Sequence, residues 1–283
     1  MIRQKSFIND VATLYLVSTP IGNFLDMTYR AIEILNFVDK IYCEDTRVTK
    51  KLLSHFNIST KLSSYHIFNE DSQSDEIINE LSMGLKIALV SDAGMPSISD
   101  PGYLVSKKAI EKGFNVVSIP GANAALTALV ASGITSNKFV FIGFLPSKSS
   151  QRVKELSNYR FHKETLIFYE APHRIIFTLK DILDVFGDRY IVIARELTKK
   201  YEEYIRGNIS EVLKEVDLLK GEIVLIVEGA TSSIDLANLN ELSIIEHYEY
   251  YKKIDMSDNE AIKQVSKDRN VHKNEIYQKI KNQ

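Results

Sequence analysis

The sequence predicts an α/β protein built as two domains with a small helical extension at its C-terminus. Three observations carry this expectation. Short apolar runs of strand length alternate with segments of helical apolar spacing, the pattern of a mostly parallel sheet covered by helices. The chain has 283 residues, 45% of them hydrophobic, enough to fill two cores of ordinary size. Strand signals stop after Val227, whereas helical periodicity runs from Glu241 to Gln283.

Taken in order, Thr13-Leu-Tyr-Leu-Val17 reads as a buried strand that ends in Ser18-Thr-Pro-Ile-Gly22. A helix at Thr28–Phe37 follows, with Ala31, Ile32 and Leu35 on its apolar face. The alternation continues as strand Lys40–Cys43, helix Thr46–His55, strand Ile87–Val90, helix Tyr103–Lys112 and strand Asn115–Ile119. Pro120-Gly121 marks the passage from a first domain, 1–120, to a second, 121–232. The second opens on a helix of small residues, Ala122–Ala131, that stops at Ser132-Gly133. Its strands are expected at Phe139–Ile142, Thr165–Tyr169, Tyr190–Ala194, Glu203–Ile205 and Glu222–Val227. Its other helices are expected at Ser149–Asn158, Arg174–Val185 and Ile209–Leu219. Ala230–Asn240 reads as a polar linker, and 241–283 as the helical extension. Within it, Asp258–Ile280 has the form helix, tight turn, helix, with Asn270 where a left-handed residue is needed.

Composition narrows the function classes. The formal charge of -2 provides no global basic field, so a nucleic-acid partner has to be met by local positive charge. Cys43 is the single cysteine and the six His form no H-E-x-x-H arrangement, so neither a disulfide framework nor a metal site is expected. The N-terminus lacks an apolar signal region and no run approaches the roughly 20 apolar residues of a membrane span, which predicts a cytoplasmic protein without membrane contact. The phosphate-binding patterns G-x-G-x-x-G and G-x-x-x-x-G-K-[ST] and the G-x-S-x-G elbow are all absent.

Chemistry concentrates in five segments. Ser91-Asp-Ala-Gly-Met-Pro-Ser-Ile-Ser-Asp-Pro-Gly102 joins a strand to a helix through twelve residues, where about two to six suffice. Asp92 stands at the carboxyl end of its strand, where open α/β sheets bind ligands, and Gly94 and Gly102 permit close backbone approach. The same residues would also serve a plain turn capped by Asp92. In Cys43-Glu-Asp-Thr-Arg47, Asp45 or Thr46 suits a helix N-cap, but Arg47 opposes the helix dipole and its planar fork suits a phosphate or carboxylate of a substrate. Phe168-Tyr-Glu-Ala-Pro-His-Arg174 offers Glu170 as a general base and His173 with Arg174 as phosphate or base contacts, or a Glu–Arg pair that closes a loop. Ala194–Gly207 interleaves basic residues with acids and Tyr, a pattern shared with solvated hairpins. From Ala261 to Gln283 six Lys/Arg face two Asp/Glu, which fits either a nucleic-acid-binding helix pair or a solvated one.

Together the segments Ser18-Thr-Pro-Ile-Gly-Asn23, Glu44-Asp-Thr-Arg47, Ser91-Asp-Ala-Gly94 with Ser99-Asp-Pro-Gly102, Pro120-Gly121, Phe144-Leu-Pro146, Tyr169-Glu170 with Pro172-His-Arg174, and Arg195-Glu-Leu-Thr198 resemble the tetrapyrrole methylase family, and within it the members that methylate ribosomal RNA. The resemblance runs from Thr13 to Gly229, and the tail resembles the family's helical extension. It implies a homodimer with S-adenosylmethionine in a cleft between the two α/β domains. It also implies transfer of the methyl group to the ribose 2'-oxygen of a decoding-centre cytidine in 16S rRNA of the small ribosomal subunit, cytidine 1402 in the usual numbering. By position in the shared segments, the cofactor would meet Pro20, Asp92, Gly94, Met95, Asn123, Ala124, Tyr169 and Gly229. Met95 stands where Thr is usual, Ala122-Asn123 where Pro-Ser is usual, and Ala171 where Ser is usual. The proton acceptor would be Glu170 or Asp45, with Glu170 preferred because it shares its loop with Arg174. The RNA path would run over Arg47, Lys50, Lys148, Arg152, His173, Arg174, Arg195, Lys199 and Arg206, and be extended by Lys263, Lys267, Arg269 and Lys273. Two rival expectations stand beside this one: a small-molecule methyltransferase of the tetrapyrrole type, and a non-catalytic RNA-binding protein of ribosome assembly.

Overall fold

The computed structural model describes residues 1, 3–6, 11–216, 219–230, 239–253 and 256–281. The first half holds a five-stranded parallel sheet of β1 (Thr13–Val17), β2 (Lys40–Cys43), β3 (Lys61–Ser64), β4 (Ile87–Val90) and β5 (Asn115–Ile119), in the order β3-β2-β4-β1-β5. Helices α1 (Tyr29–Phe37), α2 (Thr46–His55), α3 (Glu70–Ser82) and α4 (Tyr103–Glu111) cover it. Because side chains alternate across a strand, Leu14, Ile87 and Leu89 pack toward Ile77, Leu81, Val105 and Ala109, whereas Tyr15, Val17, Ala88 and Val90 pack toward Ala31 and Leu35. Two-sided burial explains why these strands read as continuous apolar runs.

The second half holds β6 (Phe139–Phe144), β7 (Thr165–Glu170), β8 (Tyr190–Arg195), β9 (Glu203–Asn208) and β10 (Ile223–Val227), in the order β6-β7-β10-β8-β9. β6 and β7 are parallel, while β10 runs antiparallel to both β7 and β8. Helix α5 (Ala124–Ser132) lies on one face; its Ala125, Ala128 and Leu129 pack with Ile167, Val192, Val224 and Ile226, and with Ile21 from the first half. Asn123 caps α5 by accepting from Leu126 N at 3.0 Å, and Gly133, at φ 82°, ends it in the left-handed region. Helices α6 (Ser149–Ser157), α7 (Ile175–Phe186) and α8 (Ile209–Glu215) pack on the opposite face.

Three further helices, α9 (Ile244–Lys253), α10 (Asp258–Arg269) and α11 (Lys273–Lys281), form a small bundle around Leu239, Tyr251, Ile262, Val265 and Ile276. Asn270 adopts φ 51°, ψ 42° between α10 and α11, as the turn chemistry requires. Phe161 joins this core and meets the Tyr250 ring at a tilt of 59°, 4.6 Å between centroids, which docks the bundle on the second half. Most of the expected linker Ala230–Asn240, residues 231–238, lies outside the described residues, as do 217–218 at the end of the expected helix Ile209–Leu219. Among the described residues no helix is long and apolar enough to cross a membrane.

Candidate active site

A cavity of about 590 Å³ opens between the two sheets. Its first wall is built from the loops that leave the carboxyl ends of β1 and β4. Thr19 and Gly94 exchange backbone hydrogen bonds at 2.9 and 3.1 Å. Ser91 Oγ donates to Gly94 O at 3.0 Å, and Thr19 Oγ1 to Ser91 O at 3.1 Å. These bonds fix Ile21, Gly94 and Met95 against the cavity, with Ile98, Ser99 and Asp100 further along the same loop. The second wall comes from Phe144 and Tyr169–Pro172 at the ends of β6 and β7, Glu196, Leu197 and Lys199 after β8, and Gly221–Val224 at the start of β10. Asn123 and Ala124, at the start of α5, close the junction. Phe141 and Phe144 meet the Tyr169 ring edge-on at 5.0 and 5.5 Å.

Backbone strain is concentrated here. Six non-glycine residues have positive φ among those described, and four of them, Ser97, Ser99, Glu196 and Thr198, sit on the two loops that face each other around the cavity. Such conformations persist only where surrounding structure over-determines them. The hydroxyls of Ser97 and Thr198 are also buried without a hydrogen-bond partner in the protein. Burial, reinforced by the charges of Glu44 and Asp92, pushes the Asp100 carboxyl up to about 6. Asp92 and Glu44 are raised as well, chiefly by burial. Lys199 bridges Glu196 at 3.0 Å and Glu222 at 3.1 Å in the opposite wall. With three carboxylates, Asp100, Glu196 and Glu222, against the one ammonium of Lys199, this apolar cavity has a net negative edge that suits a ligand carrying a cationic centre.

The family model of the Tetrapyrrole (Corrin/Porphyrin) Methylases matches residues 13–213. The chain belongs to this family. It is 50% identical to ribosomal RNA small subunit methyltransferase I of Halalkalibacterium halodurans, covering 95% of this chain and 94% of that one. It is likewise 50% identical to the protein of the same name from Bacillus subtilis, covering 97% of each. Among solved structures, diphthine synthase superposes with a TM-score of 0.59 at 14% identity, covering 82% of this chain and 96% of that one. Uroporphyrin-III-C-methyltransferase from Thermus thermophilus superposes with a TM-score of 0.54 at 17% identity, covering 77% and 94%. These two likenesses establish the two-sheet methylase fold and nothing finer. The chain is a methyltransferase, and its cavity lies between two α/β halves.

Of the cofactor residues expected from the sequence, Gly94, Met95, Asn123, Ala124 and Tyr169 line the cavity. Pro20 is buried and Asp92 half-buried, neither lines the cavity, and Asp92 Oδ1 accepts from Asp45 N at 3.0 Å. Gly229 does not line the cavity: because β10 runs antiparallel to β7, its start rather than its end reaches the cavity, and Gly229 lies against the Lys163 carbonyl at the opposite end of the strands. The sequence reading passed over Asp100, Glu196, Glu222 and Gly221. Asp100 was within reach as the second carboxylate of the twelve-residue loop; nothing in the sequence signals the reversed direction of β10.

The two expected proton acceptors separate. Glu170 lines the cavity; Oε1 accepts from Ala171 N at 2.8 Å and lies 3.2 Å from Arg174 Nε, and Oε2 accepts from Thr178 Oγ1 at 2.5 Å. Asp45 caps α2 by accepting from Arg47 N at 2.8 Å, and the Arg47 guanidinium holds its carboxyl down at about 2. It lies outside the cavity wall.

Several cations expected on an RNA path are committed to the protein itself. Arg152 is 3% exposed, paired with Asp181 at 2.6 Å and bonded to the Pro146 and Ser147 carbonyls. Arg269 bonds His247 Nδ1 at 2.9 Å and the carbonyls of Leu239, Leu242 and Ser243, which ties α10 to the start of the bundle. Arg174 holds the Leu145 and Pro146 carbonyls, and Arg206 holds those of Ala131 and Ser132 at the end of α5. Arg195 pairs with Glu203 at 2.5 Å, and Lys199 with the two Glu above. A guanidinium fork satisfies several carbonyls at once, which is why the arginines turn inward. Lys50, Lys148, His173, Lys263, Lys267 and Lys273 remain exposed, and Arg47, although paired with Asp45, has a side chain 88% exposed. Among the described residues no cluster of His, Cys, Asp and Glu is arranged to hold a metal ion.

Proposed function

We propose that this methyltransferase uses S-adenosylmethionine to methylate the ribose 2'-oxygen of a decoding-centre cytidine, cytidine 1402, in 16S rRNA. The observation that carries the reading is identity of 50% over nearly the whole length to proteins named ribosomal RNA small subunit methyltransferase I. The arrangement of charge supports it. Arg47 and Lys50 follow the carboxyl end of β2, and Lys148 and His173 follow those of β6 and β7, so the exposed cations stand at the cavity's end of both sheets. They would position phosphates without specifying sequence.

When bound, S-adenosylmethionine supplies a methyl group already activated by its sulfonium. The residues present fit such a group: Asp100 and Glu222 would hold its cationic portions, Lys199, now shared between Glu196 and Glu222, would turn to its carboxylate, and Ile21, Met95, Leu197 and Val224 would exclude water. The protein's part in the reaction is then to hold the ribose hydroxyl in line and to receive its proton. Glu170 is the acceptor we favour. Thr178 and Ala171 orient its carboxylate, and Oε2 keeps one lone pair beyond the bond from Thr178.

Incubation with S-adenosylmethionine and undermethylated small subunits, followed by mass spectrometry of the rRNA, tests the reading. One new 2'-O-methyl at cytidine 1402 is expected. Glu170→Gln is expected to lower turnover by about 10²-fold or more while RNA binding is retained. Cofactor binding without methylation of any rRNA position would transfer the weight to a small-molecule acceptor.

A further inference from the structure

A second, smaller cavity of about 230 Å³ lies against the first, and its walls are Ile67, Glu70, Ser99, Asp100, Pro101 and Tyr103 with Leu104. Ser99 and Asp100 belong to both, so a single loop segment separates the cofactor cavity from this pocket. Ser99 is held there at φ 63°. The pocket's rim is apolar and open: Ile67 is 70% exposed, the adjacent Phe68 93% and Tyr103 70%. Large apolar side chains gathered at the mouth of a pocket mark a contact surface.

Glu70 sits at the polar side of this pocket in a fixed orientation. Its Oε1 accepts from Tyr65 OH at 3.0 Å and from Gly102 N at 3.1 Å, and the Tyr65 hydroxyl is held in turn by Ser74 Oγ at 3.1 Å. Its Oε2 takes no hydrogen bond from any described residue. The result is an aimed acceptor beside flat apolar walls, with a second carboxylate, Asp100, across the pocket. Two carboxylates exclude a phosphate. They suit a group that donates hydrogen bonds.

We infer that this pocket takes the pyrimidine ring of the target nucleotide and that Glu70 Oε2 accepts from its exocyclic amine. The inference rests on the RNA-methyltransferase reading and names the specificity element of that same site. A nucleotide whose sugar faces the cofactor cavity must place its base nearby, out of its stack, and enzymes that extrude a base read its pairing edge and stack it between apolar walls. Cytosine presents an N4 amine where uracil presents an O4 acceptor, and carboxylates recognise the former. Glu70 therefore discriminates cytidine from uridine, while Tyr103 and Ile67 hold the ring.

The experiment compares subunits reconstituted from transcribed 16S rRNA with cytidine or uridine at the target position, for the wild type, Glu70→Gln, and the separate exposed-site variant Tyr103→Ala. In Glu70→Gln, Oε1 can still accept from Tyr65 and Gly102, while the amide NH₂ presents a donor to the pocket. The wild type is expected to favour cytidine by about tenfold or more in kcat/KM, and Glu70→Gln to reduce that ratio about tenfold, chiefly by losing cytidine and accepting uridine. Dissociation of S-adenosylmethionine, measured by calorimetry, stays within twofold in both variants, and Tyr103→Ala raises KM for RNA about tenfold. An unchanged cytidine-to-uridine ratio in Glu70→Gln, or a wild type indifferent to the base, overturns the pocket assignment alone. A wild type that methylates no small-subunit rRNA overturns the parent reading and this inference together.

Discussion

Asp100 is a half-buried carboxylate that feels the charges of two others, and its proton equilibrium has consequences for both stability and binding. An unfolded Asp ionises near 3.8, whereas burial and the charges of Glu44 and Asp92 move folded Asp100 to about 6. Between those values the folded state binds more protons than the unfolded one, so this group's contribution turns unfavourable as pH rises from about 4 to about 6. Asp100→Asn is therefore expected to melt about 2 °C or more above wild type at pH 7.5, with the gap closing at pH 4, as read by calorimetry. Binding moves the other way, because the ionised carboxylate attracts a cationic methyl donor. Affinity for S-adenosylmethionine should rise through pH 6 in the wild type, and in Asp100→Asn be about tenfold weaker at pH 7.5 and nearly flat with pH. A wild-type pH profile in the variant would remove Asp100 from the cofactor's surroundings. The residue types that carry chemistry were legible in the sequence, but their partners were not. Asp45 and Glu170 look alike as carboxylates at strand ends, and each pairs with an arginine; what parts them is place, since Asp45 caps α2 away from the cavity whereas Glu170, aimed by Thr178 of α7, stands in its wall.

At the level of elements, burial decides what periodicity reveals. The buried parallel strands were legible because each is a compact apolar run bounded by turn residues, as in β4, whose four residues are all buried. β3 and α3 were not. Lys61-Leu-Ser-Ser64 is an edge strand with one apolar residue, and Glu70–Ser82 needs only Ile77 and Leu81 to bury its inner face. Both are stabilised by neighbours far away in sequence, such as Lys40, whose ammonium reaches Glu76 and Glu80 of α3 at 3.0 and 2.7 Å. The helical tail shows the same division between inward and outward residues. Ala261, Ile262 and Val265 face the bundle core and Arg269 is bound to its carbonyls, which leaves Lys263 and Lys267 on the outer face of α10 and Lys273 at the start of α11. If these lysines meet RNA phosphates, replacing all three with Ala should reduce the slope of log binding constant against log salt by about 2. The melting temperature should stay within about 2 °C of wild type, since exposed changes are near-neutral, and cofactor affinity should be unchanged. A salt slope equal to that of the wild type would make the bundle a structural appendage.

Across the whole molecule, Ile21 links the two halves. It leaves the end of β1, yet it is 7% exposed in the cluster formed by α5 and the second sheet. The cavity is likewise made by neither half alone: Gly94 and Asp100 come from one side, Tyr169, Leu197 and Val224 from the other. A shared hydrophobic contact and a shared ligand site both couple unfolding, because a ligand that needs two walls binds only when both are folded. The absence of Trp makes the coupling measurable, since a single introduced indole reports one half without background. Phe37→Trp on α1 and Tyr190→Trp on β8 replace aromatic residues that are 55% and 38% exposed, so neither change enlarges a buried core position. The urea midpoints of the two variants are expected to agree within about 0.3 M when each is referred to its own far-ultraviolet circular dichroism. S-adenosylmethionine at a hundredfold excess over its dissociation constant should stabilise both by about 2.7 kcal/mol. Midpoints that separate, with the ligand moving only one of them, would show that the cofactor is held by one half, and the wall contributed by the other would lose its assigned role.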